Sequence, residues 1–289
     1  MFATIVIGFD ASAQALDALA LGQALAGEET ELVVCCVHPP ELPVEPADED
    51  GAAGQGAERL QVARDRLGPR PRTRFELRGC YSAAAGLHDE AERCAADLLI
   101  VGSSHRGAIG RVLPGSVTRQ VLHAAPCAVA VAPVGLRDHP PALARIGVAF
   151  DGGPQGASAL AAGARVAADH GAELVLITVV APVAVSAGWA GAWVDPGAAA
   201  AIREDAEERG RAAVDALDGV TARVELIDGL PAQELVLASR RLDLLVLGSR
   251  GYGPVRRALL GTVSGHVAEA AACPVLVVAR DAGGKEPAA

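Results

Sequence analysis

The chain has 289 residues, more than one ordinary core uses and comfortable for two domains. Its formal net charge of −10 and pI near 5.2 give no basic field for a nucleic-acid backbone, although a small anion can still be held locally. Six cysteines without a C-x-x-C pair, four of them (Cys35, Cys36, Cys127, Cys273) within or beside Val-rich runs, read as buried, reduced thiols of a cytoplasmic protein rather than disulfides or zinc ligands.

Taken in chain order, MFATIVIGFDASAQ lacks a basic n-region and meets Asp10 after one short apolar run, so it reads as a first strand and not as a signal peptide. Further Val, Ile and Leu runs follow near residues 32–37, 73–77, 98–101 and 128–131, separated by Ala-rich stretches of helical length. Runs that are continuously apolar rather than alternating imply strands buried on both faces, hence a parallel sheet between layers of helix. Residues 11–26 and 154–170 read as the first helix of each half, the second with Pro154 at its start and Gly171 just past its end. The span 174–194 carries no charge over a membrane-span length, but Pro182, Gly188 and Gly191 interrupt it, and a buried strand followed by an apolar loop is the preferred reading.

The second half repeats the first. ATIVIGFDAS answers ARIGVAFDGG, ELVVCCVHP answers ELVLITVVAP, ADLLIVGSS answers LDLLVLGSR, and APCAVAVAP answers AACPVLVVA. Asp10 and Asp151 lie 141 residues apart, Gly102 and Gly248 lie 146 apart, and one small indel separates the halves. The expected fold is therefore α/β: two tandem doubly wound, Rossmann-like parallel-sheet domains of strand order 3-2-1-4-5, at 1–135 and 144–281, with a linker at 136–143 and a tail at 282–289.

Two glycine-spaced phrases carry the chemistry: VGSSHRGAIGRVLPGSVTRQV from Val101 and LGSRGYGPVRRALLGTVSGHV from Leu247. A strand that ends in a glycine turn and leads to a helix N-terminus exposes successive backbone N–H groups, which suits phosphate oxygens. Glycine serves there where φ must be positive or where a Cβ would meet the ligand, and Thr262 and Ser264 add hydroxyls. The competing reading is a glycine-rich turn with an ordinary cap, and the repetition of spacing favours phosphate. Asp10 and Asp151 each end the first strand of a half. They read either as helix N-caps or, across the switch point from Gly102 and Gly248, as carboxylates that accept from ribose hydroxyls.

The pattern G-x2-G-x9-G-S/T after the fourth strand, the Asp after the first, and the final strand of cysteine and valine resemble the universal stress protein family, ATP-binding type, in tandem form. The resemblance runs from Thr4 to about Ala279. It implies nucleotide-binding residues Asp151, Gly248, Gly251, Gly261, Thr262 and Ser264 in the second half, with the backbone of Val179 toward adenine. In the first half it implies Asp10, Val37, Gly102, Gly115, Ser116 and Thr118, and it departs at His105, which replaces the second glycine. His is among the residues tolerated at positive φ, so that side chain either crowds the phosphates or donates to them. The resemblance also implies pairing of the final strands between halves or between chains, as a homodimer.

Other chemistries find little support. There is no G-x4-G-K-S/T, no G-x-G-x-x-G directly after a first strand, no G-x-S-x-G elbow and no H-E-x-x-H. Arg250, Arg256 and Arg257 face either phosphates or solvent, Trp189 and Trp193 read as cover for a crevice or an interface, and EDAEERGR from Glu204 reads as a solvated helix face. The expected function is ATP binding with Mg²⁺ held by the phosphates, in a cytoplasmic stress regulator with at most slow hydrolysis and with neither nucleic-acid nor membrane partner. The alternatives are a nucleotide-free interaction module and a nucleotide- or flavin-dependent enzyme on a similar fold.

Overall fold

Among the described residues the apolar runs become ten strands, β1 (Thr4–Gly8), β2 (Glu31–His38), β3 (Thr73–Gly79), β4 (Leu98–Gly102), β5 (Ala128–Ala132), β6 (Arg145–Ala149), β7 (Glu173–Val180), β8 (Ala222–Asp228), β9 (Leu244–Gly248) and β10 (Val275–Val278). Among the described residues eight α-helices accompany them: α1 (Ala13–Leu25), α2 (Ala52–Leu67), α3 (Ala83–Arg93), α4 (Ser116–Leu122), α5 (Pro154–His170), α6 (Pro196–Asp215), α7 (Pro231–Ala238) and α8 (Thr262–Ala270). The computed structural model describes residues 2–40, 51–103, 115–123, 125–182, 196–249 and 261–278. His105, Gly251, Arg250, Arg256, Arg257, Trp189, Trp193 and the tail at 282–289 lie outside the described residues.

The strands form one sheet in the order β3-β2-β1-β4-β5-β10-β9-β6-β7-β8. Each half has the expected order 3-2-1-4-5 and is internally parallel, and the halves join where β5 and β10 pair antiparallel with Val275 opposite Val131, Leu276 opposite Ala130 and Val277 opposite Val129. The final strands thus pair within the chain. Both are interior strands of the sheet, and neither offers an edge to a second copy.

Period-two alternation divides the core between the faces. Ile5, Ile7, Leu98, Ile100, Ile146, Leu174 and Leu244 join one cluster with α1, α2 and α5. Val6, Leu99, Val101, Val175, Leu245 and Leu247 join the other with residues of α3, α4, α7 and α8. At the seam β5 turns Ala128, Ala130 and Ala132 to the first face while β10 turns Leu276 and Val278 there, so small residues stand opposite larger ones. Cys35, Cys36, Cys127 and Cys273 are free and buried, as the sequence suggests.

Helix starts follow local chemistry. The first helix begins at Ala13 and not at residue 11, because Ala11 has φ 62° and Ser12 is the N-cap, its Oγ accepting from the Ala15 N–H at 3.2 Å. The α5 helix starts on Pro154 and ends against Gly171, whose φ of 62° is the left-handed C-cap glycine readily adopts. Glu204 to Arg211 lies on α6, where Arg209 pairs with Asp205 at 2.6 Å and Arg211 with Glu207, one turn apart. No helix among the described residues is long and apolar enough to cross a membrane, and the uncharged span from 174 supplies β7 up to Val180.

Aspartates tie the connections down. Asp97 accepts from the Ala3 and Thr4 N–H groups at 2.8 and 3.0 Å, and its repeat Asp243 accepts from Ala144 and Arg145 at 2.9 Å each, so each fourth strand holds the start of a first strand. Asp17 on α1 is fully buried and accepts from the Gly135 and Arg137 N–H groups at 3.0 and 2.8 Å and from the Arg137 guanidinium at 3.2 Å. The segment between the halves is thereby fixed to α1, and its Leu136 and Leu143 enter the first-face cluster. Replacing Asp17 with Ala strands two backbone donors and a guanidinium, and we expect a loss of about 2–4 kcal/mol in the urea unfolding free energy.

Candidate functional site

In each half the first strand stops short of the second. The last partner of β1 on β2 is Cys35, opposite Gly8, followed by one Phe9 N–H to Cys35 carbonyl bond of 2.9 Å, yet β2 continues to His38. The second half repeats this with Ala149 opposite Ile177, the Phe150 N–H on the Ile177 carbonyl at 2.9 Å, and β7 running to Val180. Val37 and Val179 therefore lie beyond the reach of β1 and β6. On the other side, β1 and β4 are paired only from Ile5 to Ile7, and β6 and β9 only from Ile146 to Val148. A crevice opens at the carboxyl ends of the strands in each half, at the point where the strand order reverses.

The first crevice, about 310 Å³, is lined by Phe9, Asp10, Gln14, Cys35, Val37, Leu87, Gly102, Ser103 and the start of α4 from Gly115 to Thr118, among others. The second, about 610 Å³, is lined by Phe150, Asp151, Gln155, Val179, Pro231, Leu235, Gly248, Gly261, Val263 and Ser264, among others. The residues singled out in the sequence thus come together twice. Thr262 is exposed at the first position of α8 and is absent from the described lining, whereas its repeat Ser116 lines the first crevice.

The aspartates are not N-caps. Asp10 Oδ1 accepts from the Ser12 N–H at 3.0 Å and Asp151 Oδ1 from the Gly153 N–H at 2.9 Å, and Ser12 and Gly153 are the capping residues. Each carboxylate holds the turn that precedes the cap, and among the described residues neither Oδ2 has a partner. Between Asp and cap, the first half has Ala11 at φ 62° and the second has Gly152 at φ 76°.

The strand-end glycines answer to packing. Neither Gly102 nor Gly248 has a positive φ. A Cβ on Gly102 would stand 2.2 Å from the Gln14 carbonyl oxygen, and on Gly248 it would stand 2.4 Å from that of Gln155. The first turn of α1 or α5 is by itself enough to exclude a side chain there. Gly115 and Gly261 cap α4 and α8 with ordinary extended backbone, φ −74° and −73°. The hydroxyls are also engaged: Thr118 Oγ1 donates to the Gly102 carbonyl at 2.8 Å, and Ser264 Oγ accepts from the Gly261 N–H at 3.0 Å. Both side chains are buried. Cys35 faces the first crevice as a neutral thiol, since burial, helped by the charge of Glu90, pushes it up to about 12.

Phe9 and Phe150, and Gln14 and Gln155, are lining residues to which no role is given by the glycine phrases. Their signal is in the sequence nonetheless, as the shared pattern F-D-x-x-x-Q after each first strand.

Two doubly wound units, each with a switch-point crevice between an aspartate turn and a glycine-capped helix, define the class: a tandem α/β protein with paired switch-point crevices. The profile of the universal stress protein family matches residues 1–133 and again 143–279, and the chain belongs to that family. A universal stress protein of Mycobacterium tuberculosis (strain ATCC 25618 / H37Rv) is 33% identical over 193 residues, 63% of this chain and 61% of the relative, so the match spans less than two thirds of that protein. One of Thermus aquaticus is 34% identical over 136 residues, 45% of this chain and 95% of its own length. The crystal structure of a universal stress protein from Archaeoglobus fulgidus DSM 4304 shares the fold with a TM-score of 0.65 at 21% identity, covering 96% of this chain and 98% of that one.

Two substitutions test the turn and the close approach. Ala11→Gly should raise the unfolding free energy by about 1 kcal/mol, the left-handed cost of alanine less the greater unfolded-state freedom of glycine. Gly248→Ala should lower it by about 1–3 kcal/mol through overpacking against Gln155, read in the same denaturant titration.

Proposed function

We propose that the protein binds ATP at one or both crevices and acts as a nucleotide-responsive stress regulator rather than a fast enzyme. The observation that carries this reading is the crevice built twice, with a carboxylate on one wall, a helix N-terminus on the other, and strand backbone left unpaired by the first strand between them. Such a site offers acceptors for sugar hydroxyls, exposed amides for phosphates and an apolar slot for a base. In this reading Asp10 and Asp151 take the ribose and the backbone of Val37 and Val179 meets adenine. Gly102, Gly115, Ser116 and Thr118, and Gly248, Gly251, Gly261, Thr262 and Ser264, surround the phosphates, with His105 standing where the second half has Gly251.

Each crevice supplies one carboxylate among its described lining residues, and the described residues contain no group of three His, Cys, Asp or Glu able to hold a metal. Magnesium would accordingly arrive on the phosphates and be held by them. Residues 1–135 and 144–281 act as the two nucleotide-binding units, joined by 136–143, in a cytoplasmic protein whose six thiols stay reduced. The intramolecular seam takes the part that final strands would take in a homodimer.

The second reading, a nucleotide-free interaction module, draws on one observation: the packing roles of Gly102 and Gly248 account for those glycines without a ligand. Nucleotide released by denaturing the purified protein and identified by mass spectrometry separates the two readings, as does thermal unfolding with added ATP. At a hundredfold excess over Kd the gain is about 2.7 kcal/mol. Protein that carries no adenine nucleotide and whose Tm is unmoved by ATP would falsify the ATP reading.

The halves should also differ. Gly261→Glu should abolish binding in the larger crevice, while Gly115→Glu should cost less total binding, because the first crevice is the smaller and the first glycine phrase has His105 in place of its second glycine. Equal losses in calorimetric titrations would contradict that asymmetry.

A further inference from the structure

Among the described residues, five buried side-chain oxygen atoms have no hydrogen-bond partner: Gln14 Oε1, Thr73 Oγ1, Ser103 Oγ, Thr178 Oγ1 and Ser249 Oγ. Ser103 and Ser249 are repeats of each other, each the residue after the strand-end glycine, 6% and 1% exposed. Their N–H groups are bonded to the Ala132 and Val278 carbonyls at 3.0 and 2.8 Å, so the backbone is satisfied and the hydroxyl alone is not. Gln14 and Ser103 both line the first crevice. An unpartnered buried hydroxyl lowers stability, and alanine in its place would avoid the cost. Here the cost occurs at the same position in both halves, and in the first half beside a second unpartnered atom in the same crevice.

The chemistry of these atoms says what would satisfy them. Gln14 Oε1 only accepts, so the group that meets it must bring an O–H or N–H. An ionised phosphate brings neither and would be repelled, whereas sugar hydroxyls and an exocyclic amine qualify. Ser103 can donate or accept and suits the same groups. We propose that Ser103 and Gln14 are specificity-determining residues of the first crevice that read hydrogen-bonding groups of the nucleoside part of the ligand, not its phosphates. The inference rests on the ATP reading and adds residues that the glycine phrases do not assign.

Calorimetric titration with ATP, AMP and adenosine tests it. Ser103→Ala and Gln14→Leu are made in a Gly261→Glu parent, so that the first crevice reports. Each variant should bind all three ligands about tenfold more weakly, by one common factor, the loss of a single neutral hydrogen bond. Ligand-free Ser103→Ala should unfold at a temperature about 2 °C or more higher, because an unpaired hydroxyl has been removed. A merely structural serine would move that temperature down. A penalty seen with ATP and absent with adenosine would assign the atoms to phosphate and overturn the proposal. So would unchanged affinity, which means that water or packing satisfies the hydroxyl. Unmutated protein that binds none of the three ligands fails the ATP reading and takes this inference with it, whereas a Gly261→Glu parent that binds none while the unmutated protein does, or that binds as tightly as its variants, fails this inference alone.

Discussion

Everything in this molecule depends on one antiparallel pairing. Three register pairs between β5 and β10 turn two five-stranded sheets into a single ten-stranded one, and every residue in them is at most 1% exposed. The final strand of each half would otherwise be an open edge of valine and alanine, the kind of edge that recruits other chains. Pairing them removes both edges at once and buries both faces of the seam. The outer edges left to the molecule are β3 and β8, which carry Arg74, Glu76 and Arg78, and Arg223 and Glu225, in ion pairs with their neighbours. Charge on an exposed edge strand discourages further pairing.

The seam also depends on connections that hold their place. Asp17 binds the segment between the halves through two backbone N–H groups, and Asp97 and Asp243 fasten first strands to fourth strands from below. With the lower ends of the strands fastened in this way and the upper ends left to diverge, each crevice is a consequence of sheet geometry. Binding residues need then only be placed on an opening that already exists.

Much of this was legible in the sequence because burial on two faces leaves continuous apolar runs, and because duplication lets one half proofread the other. Strand order, the helix at Pro154, the reduced cysteines and the meeting of Asp10 with Gly102 all follow from those two signals. The misreadings have local causes. The first helix starts two residues late because Ala11 takes a conformation that its composition does not announce, whereas Gly152 announces it in the repeat. Gly102 and Gly248 also have a packing reason to be glycine, a carbonyl from a helix 88 or 93 residues distant in the chain, which spacing cannot reveal. Ser264 reads as an added hydroxyl, and its engagement by the Gly261 N–H shows only in the folded turn.

The antiparallel seam has one more consequence. All strands of one half run together and all strands of the other run against them, so the carboxyl ends, and with them the crevices, open on opposite rims of the sheet. The molecule is a two-ended object with a mouth at each pole. A partner that clasps one rim leaves the other accessible, and no single small ligand can bridge the two. The short seam of β5 and β10, with the core packed on it, is the axle between two stations.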